Sequence, residues 1–131
     1  MDCLFCAIIA GDIPSKQVYS DDVAVAFLDI NPWHRGHTLV VPRRHVSDVL
    51  ADPSALGEIA DSVTATGALL TQKLGCDGLN VLINSGAVAG QEVFHLHVHL
   101  IPRYADAPGI AGLIERDSNI DLDAVHRKLV D

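Results

Sequence analysis

Along the chain, apolar and polar positions alternate in short runs and, in one stretch, recur at helical spacing, and the order of these patterns predicts the fold. "CLFCAII" places apolar residues at 4, 5, 8 and 9, one face of a short helix that "GDIP" ends. "KQVYS" and "VAVAFLDI" are rich in β-formers and are joined by the turn-forming pair "DD". They read as a hairpin whose second strand stops at "INP". "HTLVVP" reads as a third strand, closed by Pro42, which has no N–H to give to a sheet ladder.

From Asp52, an N-cap followed by Pro53 at the first helical position, apolar residues fall at 56, 59, 60, 63, 67, 70 and 74. This predicts one long amphipathic helix ending near Gly75. "GLNVLIN" is then a fourth strand, "SGAVAGQE" a loop, "VFHLHVHLIP" a fifth strand and "DLDAVHRKL" a last short helix. Strands, a helix and strands again, with hairpin-length connections, favour an antiparallel α+β sheet with the helix on one face over a doubly wound parallel sheet. No repeat, low-complexity stretch or linker interrupts the chain, so residues 1–131 are expected to form a single domain.

The fifth strand carries the unusual chemistry. Side chains two apart on a strand share a face, so His95, His97 and His99 would share one while Leu96, Val98 and Leu100 take the other, against the core. Cα atoms of His95 and His99 would lie roughly 13 Å apart at about 3.3 Å of rise per residue, near the limit for two imidazoles on one ion. Division of labour follows. Cys3-x-x-Cys6, His95 and, as fourth candidate, His45 after "VVPRR" suit the tetrahedral Cys/His preference of zinc, although both cysteines would also serve as small buried residues.

His97 and His99 then face "NSGAVAGQE", whose Asn84, Gly86, Gly90 and Gln91 offer amide donors and free backbone N–H groups. Such a loop suits a phosphate, and also suits an ordinary strand connection. A neutral imidazole attacks phosphorus directly, and its ordinary pKa of about 6.5 leaves most of it neutral at cytosolic pH. A catalytic metal centre built from the histidines is a weaker reading, because the sequence places no Asp or Glu beside them to complete it.

Composition narrows the classes. The chain has 131 residues, 49% of them hydrophobic, enough for one core. With 17 acidic against 9 basic residues and a net charge of −8, a broad grip on nucleic-acid phosphates is disfavoured, while a small anion can still bind locally. No run of about 18 apolar residues exists, and "MDCLFCAIIAGD" lacks the basic start and cleavage region of a signal peptide, so a cytoplasmic protein without membrane partners is expected. Three cysteines do not make a disulfide framework.

"HLHVHLI" matches the alternating pattern of the histidine triad nucleotide-binding family, and the chain resembles that family well beyond it. "CLFCAIIAGDIPSKQVYSDDVAVAFLDINPWHRGHTLVVPRRH" is similar to its N-terminal half and "GLNVLINSGAVAGQEVFHLHVHLIPR" to its signature half, covering residues 3–104 and leaving 105–131 as a tail. The resemblance implies a five-stranded antiparallel sheet, pairing into a homodimer, and hydrolysis or transfer at the α-phosphate of purine nucleotide derivatives. By the same resemblance His97 would be the nucleophile, His99 would donate to phosphate oxygens, and Asn84 and Gln91 would help hold the phosphate. His37 in "GHTLVVP" would support the nucleophile, where the sequence alone allows a buried structural residue.

Asp29 in "FLDINP" would accept from the ribose hydroxyls, a turn-initiating Asp being the alternative. Leu4, Phe5, Ile8, Phe27 and Ile30 would line a slot for the base, or sit in the core. Cys3, Cys6, His45 and His95 occupy positions where some members, and the related hexose-phosphate uridylyltransferases, hold zinc. Two departures bear on substrate choice: Glu92 stands where some members have Ser or Thr beside the phosphate, and no tryptophan-containing tail follows Tyr104. The resulting expectation is a hydrolase of nucleoside phosphoramidates or dinucleoside polyphosphates acting through a nucleotidyl-histidine intermediate. The alternative is a zinc-stabilised nucleotide-binding scaffold with little turnover. His34, His126 and Cys76 carry no motif and read as structural or exposed.

Overall fold

Runs such as "AVAFL" and "TLVVP" lack polar alternation, and a strand of that kind must be covered on both faces. In the computed structural model, which describes residues 3–110 and 114–130, this is what occurs. β1 (Gln17–Ser20), β2 (Ala24–Leu28), β3 (Thr38–Pro42), β4 (Gly78–Leu82) and β5 (Val98–Arg103) form one antiparallel sheet in the order β1-β2-β3-β5-β4. Ala24, Ala26, Val40, Val98 and Leu100 pack on one face against Ala55, Ile59 and Leu70 of the long helix α2 (Ala55–Leu74). Val25, Phe27, Leu39 and Val41 pack on the opposite face against Phe5 and Ile8 of the short helix α1 (Leu4–Ala10). The sequence reading gives helical cover to one face; α1 supplies the second.

The hairpin turn is built as the "DD" pair predicts: Asp21 Oδ1 accepts from the N–H groups of Val23 and Ala24 at 2.9 Å. The long helix departs from expectation at its start. The Asp52 side chain accepts from the Ser54 N–H and hydroxyl at 2.9 and 2.8 Å, which winds residues 52–54 into a turn ahead of the helix. Ser54, not Asp52, is therefore the N-cap, and Pro53 lies outside the helix.

Its buried face is also rotated from the apolar count. Ser62 and Thr66 are buried in its middle and Leu56 turns outward. The hydroxyls tolerate burial because Ser62 donates to Asp21 Oδ2 at 2.6 Å and Thr66 to the Ser62 carbonyl at 2.7 Å.

β5 begins at Val98, so His95 and His97 precede the strand that was expected to carry all three histidines. The chain bends over residues 93–95, and the Leu96 N–H donates to the Val46 carbonyl at 2.6 Å instead of joining the ladder. The inside-outside alternation survives the bend: Leu96, Val98 and Leu100 all enter the core under α2. A last helix, α3 (Leu122–Val130), follows the prediction but buries no residue. Of the tail, residues 111–113 and 131 lie outside the described residues.

Candidate functional site

The rings of His95 and His97 are each fixed by a backbone oxygen and those of His37 and His99 by each other, and the fixing atom decides which nitrogen is free. A carbonyl only accepts, so the ring nitrogen facing it carries the proton. His95 Nε2 donates to the Pro42 carbonyl at 2.8 Å, which leaves its Nδ1 lone pair pointing at the thiols. His97 Nδ1 donates to the His95 carbonyl at 2.8 Å, which leaves its Nε2 lone pair open, and His97 lines a cavity beside β5.

His37 and His99 form a third arrangement. The Trp33 N–H donates to His37 Nδ1 at 3.1 Å, so His37 carries its proton on Nε2 and donates it to His99 Nδ1 at 2.9 Å. His99 must then hold its own proton on Nε2, which is buried and without a partner among the described residues. A buried orphan donor beside a cavity is costly unless an acceptor enters. Burial, with His97 and His37 adding to it, holds the His99 imidazole down to about 4, and burial also lowers His37 against the pull of Asp29. Both of these rings are therefore neutral near neutral pH.

Contrary to the expectation that no carboxylate stands near the histidines, Asp29 Oδ2 lies 3.6 Å from His37 Nε2, and Asp29, His37 and His99 cluster within ligand reach. The 2.9 Å nitrogen separation is a hydrogen bond, whereas two imidazoles at about 2.05 Å from one ion at the tetrahedral angle stand roughly 3.3 Å apart. Asp29 and His37 are held together by the backbone: the Asp29 N–H donates to the His37 carbonyl at 2.9 Å, closing the β2–β3 connection. Asp29 Oδ1 accepts from the Asn31 N–H at 2.8 Å, so the turn-initiating role is present, and Asp29 also lines the cavity.

The cavity has a volume of about 440 Å³, within the range of small-ligand sites. Leu4, Phe5, Ile8, Phe27 and Ile30 line one part, and Asn84, Gly90, Glu92, His97 and His99 also border it. Phe5 and Ile8 belong to the core as well, whereas Ile30 is 88% exposed and is no core residue. Phe5 meets the His97 ring edge-on at 5.2 Å.

Gln91 is placed differently from the other expected phosphate residues. It is buried, its amide nitrogen donates to the Ser47 and Val93 carbonyls at 2.7 and 3.1 Å, and its oxygen accepts from the Gly86 N–H at 2.8 Å. It ties the 84–91 loop down and does not line the cavity. Gly86 and Gly90 give that loop its positive-φ corners. Trp33, missed in the sequence reading, lines the cavity; its sole signal was a large aromatic in a polar connection after "NP".

Behind the triad lies the thiol cluster. Cys3 caps α1, accepting from the Cys6 N–H at 3.4 Å. Cys3 and Cys6 each stand 3.5 Å from His95 Nδ1, and Cys6 stands 3.4 Å from His45 Nδ1. A zinc ion with bonds of about 2.3 Å to sulfur and 2.05 Å to nitrogen gives sulfur–nitrogen edges of roughly 3.5 Å, so the four residues fit a tetrahedral zinc ion. His95 already presents the right nitrogen, its other one being held by the Pro42 carbonyl. Cys76 is buried against Thr71, His126 is exposed, and His34 accepts through its carbonyl from the His37 N–H.

Known proteins resemble this chain in sequence and in fold. The HIT domain family model matches residues 10–106. A HIT-like protein of Methanocaldococcus jannaschii is 46% identical over 129 residues, covering 97% of this chain and 98% of its own length. A zinc-bound histidine triad family protein from Mycobacterium smegmatis superimposes with a TM-score of 0.76 at 36% identity, over 97% of this chain and 89% of that one. An adenylylsulfatase of Arabidopsis thaliana is 39% identical over 103 residues, 78% of this chain and 52% of that protein. The chain belongs to the histidine triad, or HIT, family. No helix among the described residues is long and apolar enough to cross a membrane.

Proposed function

We propose that this chain is a nucleotidyl hydrolase acting at the α-phosphate of purine nucleotide derivatives through a covalent nucleotidyl-histidine intermediate. The observation that carries the reading is the opposed protonation of two neighbouring rings: His97 offers an Nε2 lone pair, and His99, 4.9 Å away between centroids, offers a buried Nε2–H. A nucleophile and a phosphate donor at one cavity wall are what phosphoryl chemistry requires.

In the proposed reaction the base lies among Leu4, Phe5, Ile8, Phe27 and Ile30, the ribose hydroxyls bond Asp29, and Asn84 with the loop held by Gln91 receives the phosphate. The His97 Nε2 lone pair forms a bond to the α-phosphorus while the bond to the leaving group breaks; the leaving group takes up a proton from water. The charge left on the His97 ring is stabilised through Nδ1–H by the His95 carbonyl. Water then attacks phosphorus, the Nε2–phosphorus bond breaks, and the nucleoside monophosphate departs. His37 keeps His99 in the donor form throughout. Cys3, Cys6, His45 and His95 would hold a zinc ion, which supplies a structural crosslink and takes no part in the chemistry.

We also propose that the chain works in the cytoplasm as a homodimer, forming one domain over residues 1–131. Exposed Val81 on edge strand β4 and exposed Leu122 and Leu129 on α3 favour association. Hydrolysis of an adenosine phosphoramidate by wild type and His97→Ala, with intact-mass detection under rapid quench, tests the reading. Turnover with an adenylylated protein, both lost in the variant by at least about a thousandfold, is expected. Adenosine monophosphate binding without turnover would reassign the chain as a nucleotide-binding scaffold.

A further inference from the structure

Trp33 is the only tryptophan in the chain and stands in the β2–β3 connection between Asp29 and His37. It is 47% exposed and belongs to neither core cluster, so packing does not explain an indole there. Its ring lies nearly parallel to two buried imidazoles, at 5.1 Å and 25° from His37 and at 5.5 Å and 20° from His99. Its backbone N–H meets His37 Nδ1 at 3.1 Å. One residue therefore touches the His37–His99 pair twice, through its face and through its amide.

The two contacts do different things. The amide occupies the Nδ1 lone pair of His37 and so sets the direction in which protons point along the chain from His37 to His99 to the cavity. The indole covers both rings on the side from which water would otherwise compete for the 2.9 Å bond between them. We infer that Trp33 is a positioning residue that shields and orients the His37–His99 pair, so that His99 presents an N–H to the phosphate. For its bearing on turnover the inference rests on the function proposed above.

The charged and titratable groups around the pair are Asp29, whose carboxylate favours protonation of His37, and His34 and His97, which disfavour it. Burial is the largest influence and keeps both rings neutral. A stacked indole also attracts a cation, but on rings this deeply buried the loss of hydration outweighs it. Removing the indole therefore admits water and makes protonation easier.

The test compares Trp33→Ala and Trp33→Phe with wild type, using nitrogen-15 shifts of the histidine side chains across a pH titration alongside steady-state kinetics. Neither variant touches the Trp33 amide. In Trp33→Ala the His99 midpoint should rise by at least about one pH unit. The acid limb of the kcat profile should move with it, and kcat should fall about tenfold while KM changes little. Trp33→Phe should restore the wild-type midpoint. An unmoved His99 midpoint in Trp33→Ala overturns the inference, as does a rise in KM alone, which would make the indole a substrate contact. The titration reads without turnover, so an unmoved midpoint in an active hydrolase sinks this inference only, and a moved midpoint in a protein without turnover sinks the hydrolase reading only.

Discussion

The carbonyl of His95 accepts from His97 Nδ1 at 2.8 Å while the ring of the same His95 turns its Nδ1 to the thiols of Cys3 and Cys6. One residue thus joins the thiol cluster to the ring that faces the cavity, through its backbone on one side and its side chain on the other. Cys3→Ser should abolish stoichiometric zinc, measured by mass spectrometry of the purified protein. It should lower the melting temperature by about 5 °C or more, since bound metal stabilises the folded state by mass action. Because the carbonyl survives, kcat of the folded fraction should fall less than about tenfold; unchanged metal content would remove the zinc assignment.

Asp29 Oδ1 accepts from the Asn31 N–H, Oδ2 lies 3.6 Å from His37 Nε2, and the residue lines the cavity. Asp29→Asn keeps an oxygen for the turn and would lose the charge-assisted acceptor that the proposed function assigns to the sugar. Affinity for adenosine monophosphate should weaken about tenfold by calorimetry, while a 2′,3′-dideoxy analogue should bind wild type and variant alike. Equal losses for both ligands would mean that Asp29 does not bind the ribose.

Glu92 and Asp29 are the acidic side chains bordering the cavity, and no Lys or Arg borders it among the described residues. An anionic leaving group therefore meets uncompensated negative charge, and an amine does not. Glu92→Ser should raise kcat/KM for adenylyl sulfate or a dinucleoside polyphosphate relative to an adenosine phosphoramidate by about tenfold, with a smaller change at high salt. An unaltered ratio would place Glu92 away from the leaving group.

Stability should depend on pH through the buried rings. His99 titrates near 4 in the folded protein, and burial lowers His37 in the same direction, against about 6.5 unfolded. Between those values the unfolded chain binds more protons, so stability falls as pH drops from about 6.5 towards 4, and His99 alone accounts for a few kcal/mol at the low end. Denaturation midpoints measured across this window should decline, and His99→Asn should flatten the slope. A flat wild-type profile would contradict the burial of neutral rings.

Much of this was legible from the residues. The strands, the two helices at 4–10 and 55–74 and the inward Leu96, Val98 and Leu100 follow from periodicity, which records burial directly. The start of α2 was not legible, because Asp52 makes an N-cap and an Asx turn from the same carboxylate chemistry and only the path of the chain selects the turn. Buried Ser62 and Thr66 were hidden for a related reason: their partners, Asp21 and a backbone carbonyl, are set by tertiary packing. In the site, alternation pointed to shared placement of the histidines, but neither the bend before Val98 nor the tautomers can be read from spacing. Gln91 looked like a ligand donor because its amide chemistry is the same whether it meets a phosphate or three backbone groups.

β5 lies inside the sheet, bonded to β3 on one edge and β4 on the other, whereas α1 has seven residues and presents an exposed Leu4 to the cavity. The segment bearing His99 can be uncovered only by disrupting two ladders, so its amides should exchange with solvent at the rate of global unfolding, while α1 opens by itself. The two ends of one cavity thus differ in how freely they can be altered. On the proposed function, changes at Leu4 or Ile30 would retune which base is accepted over generations of sequence drift, while the end bearing His99 would stay as it is.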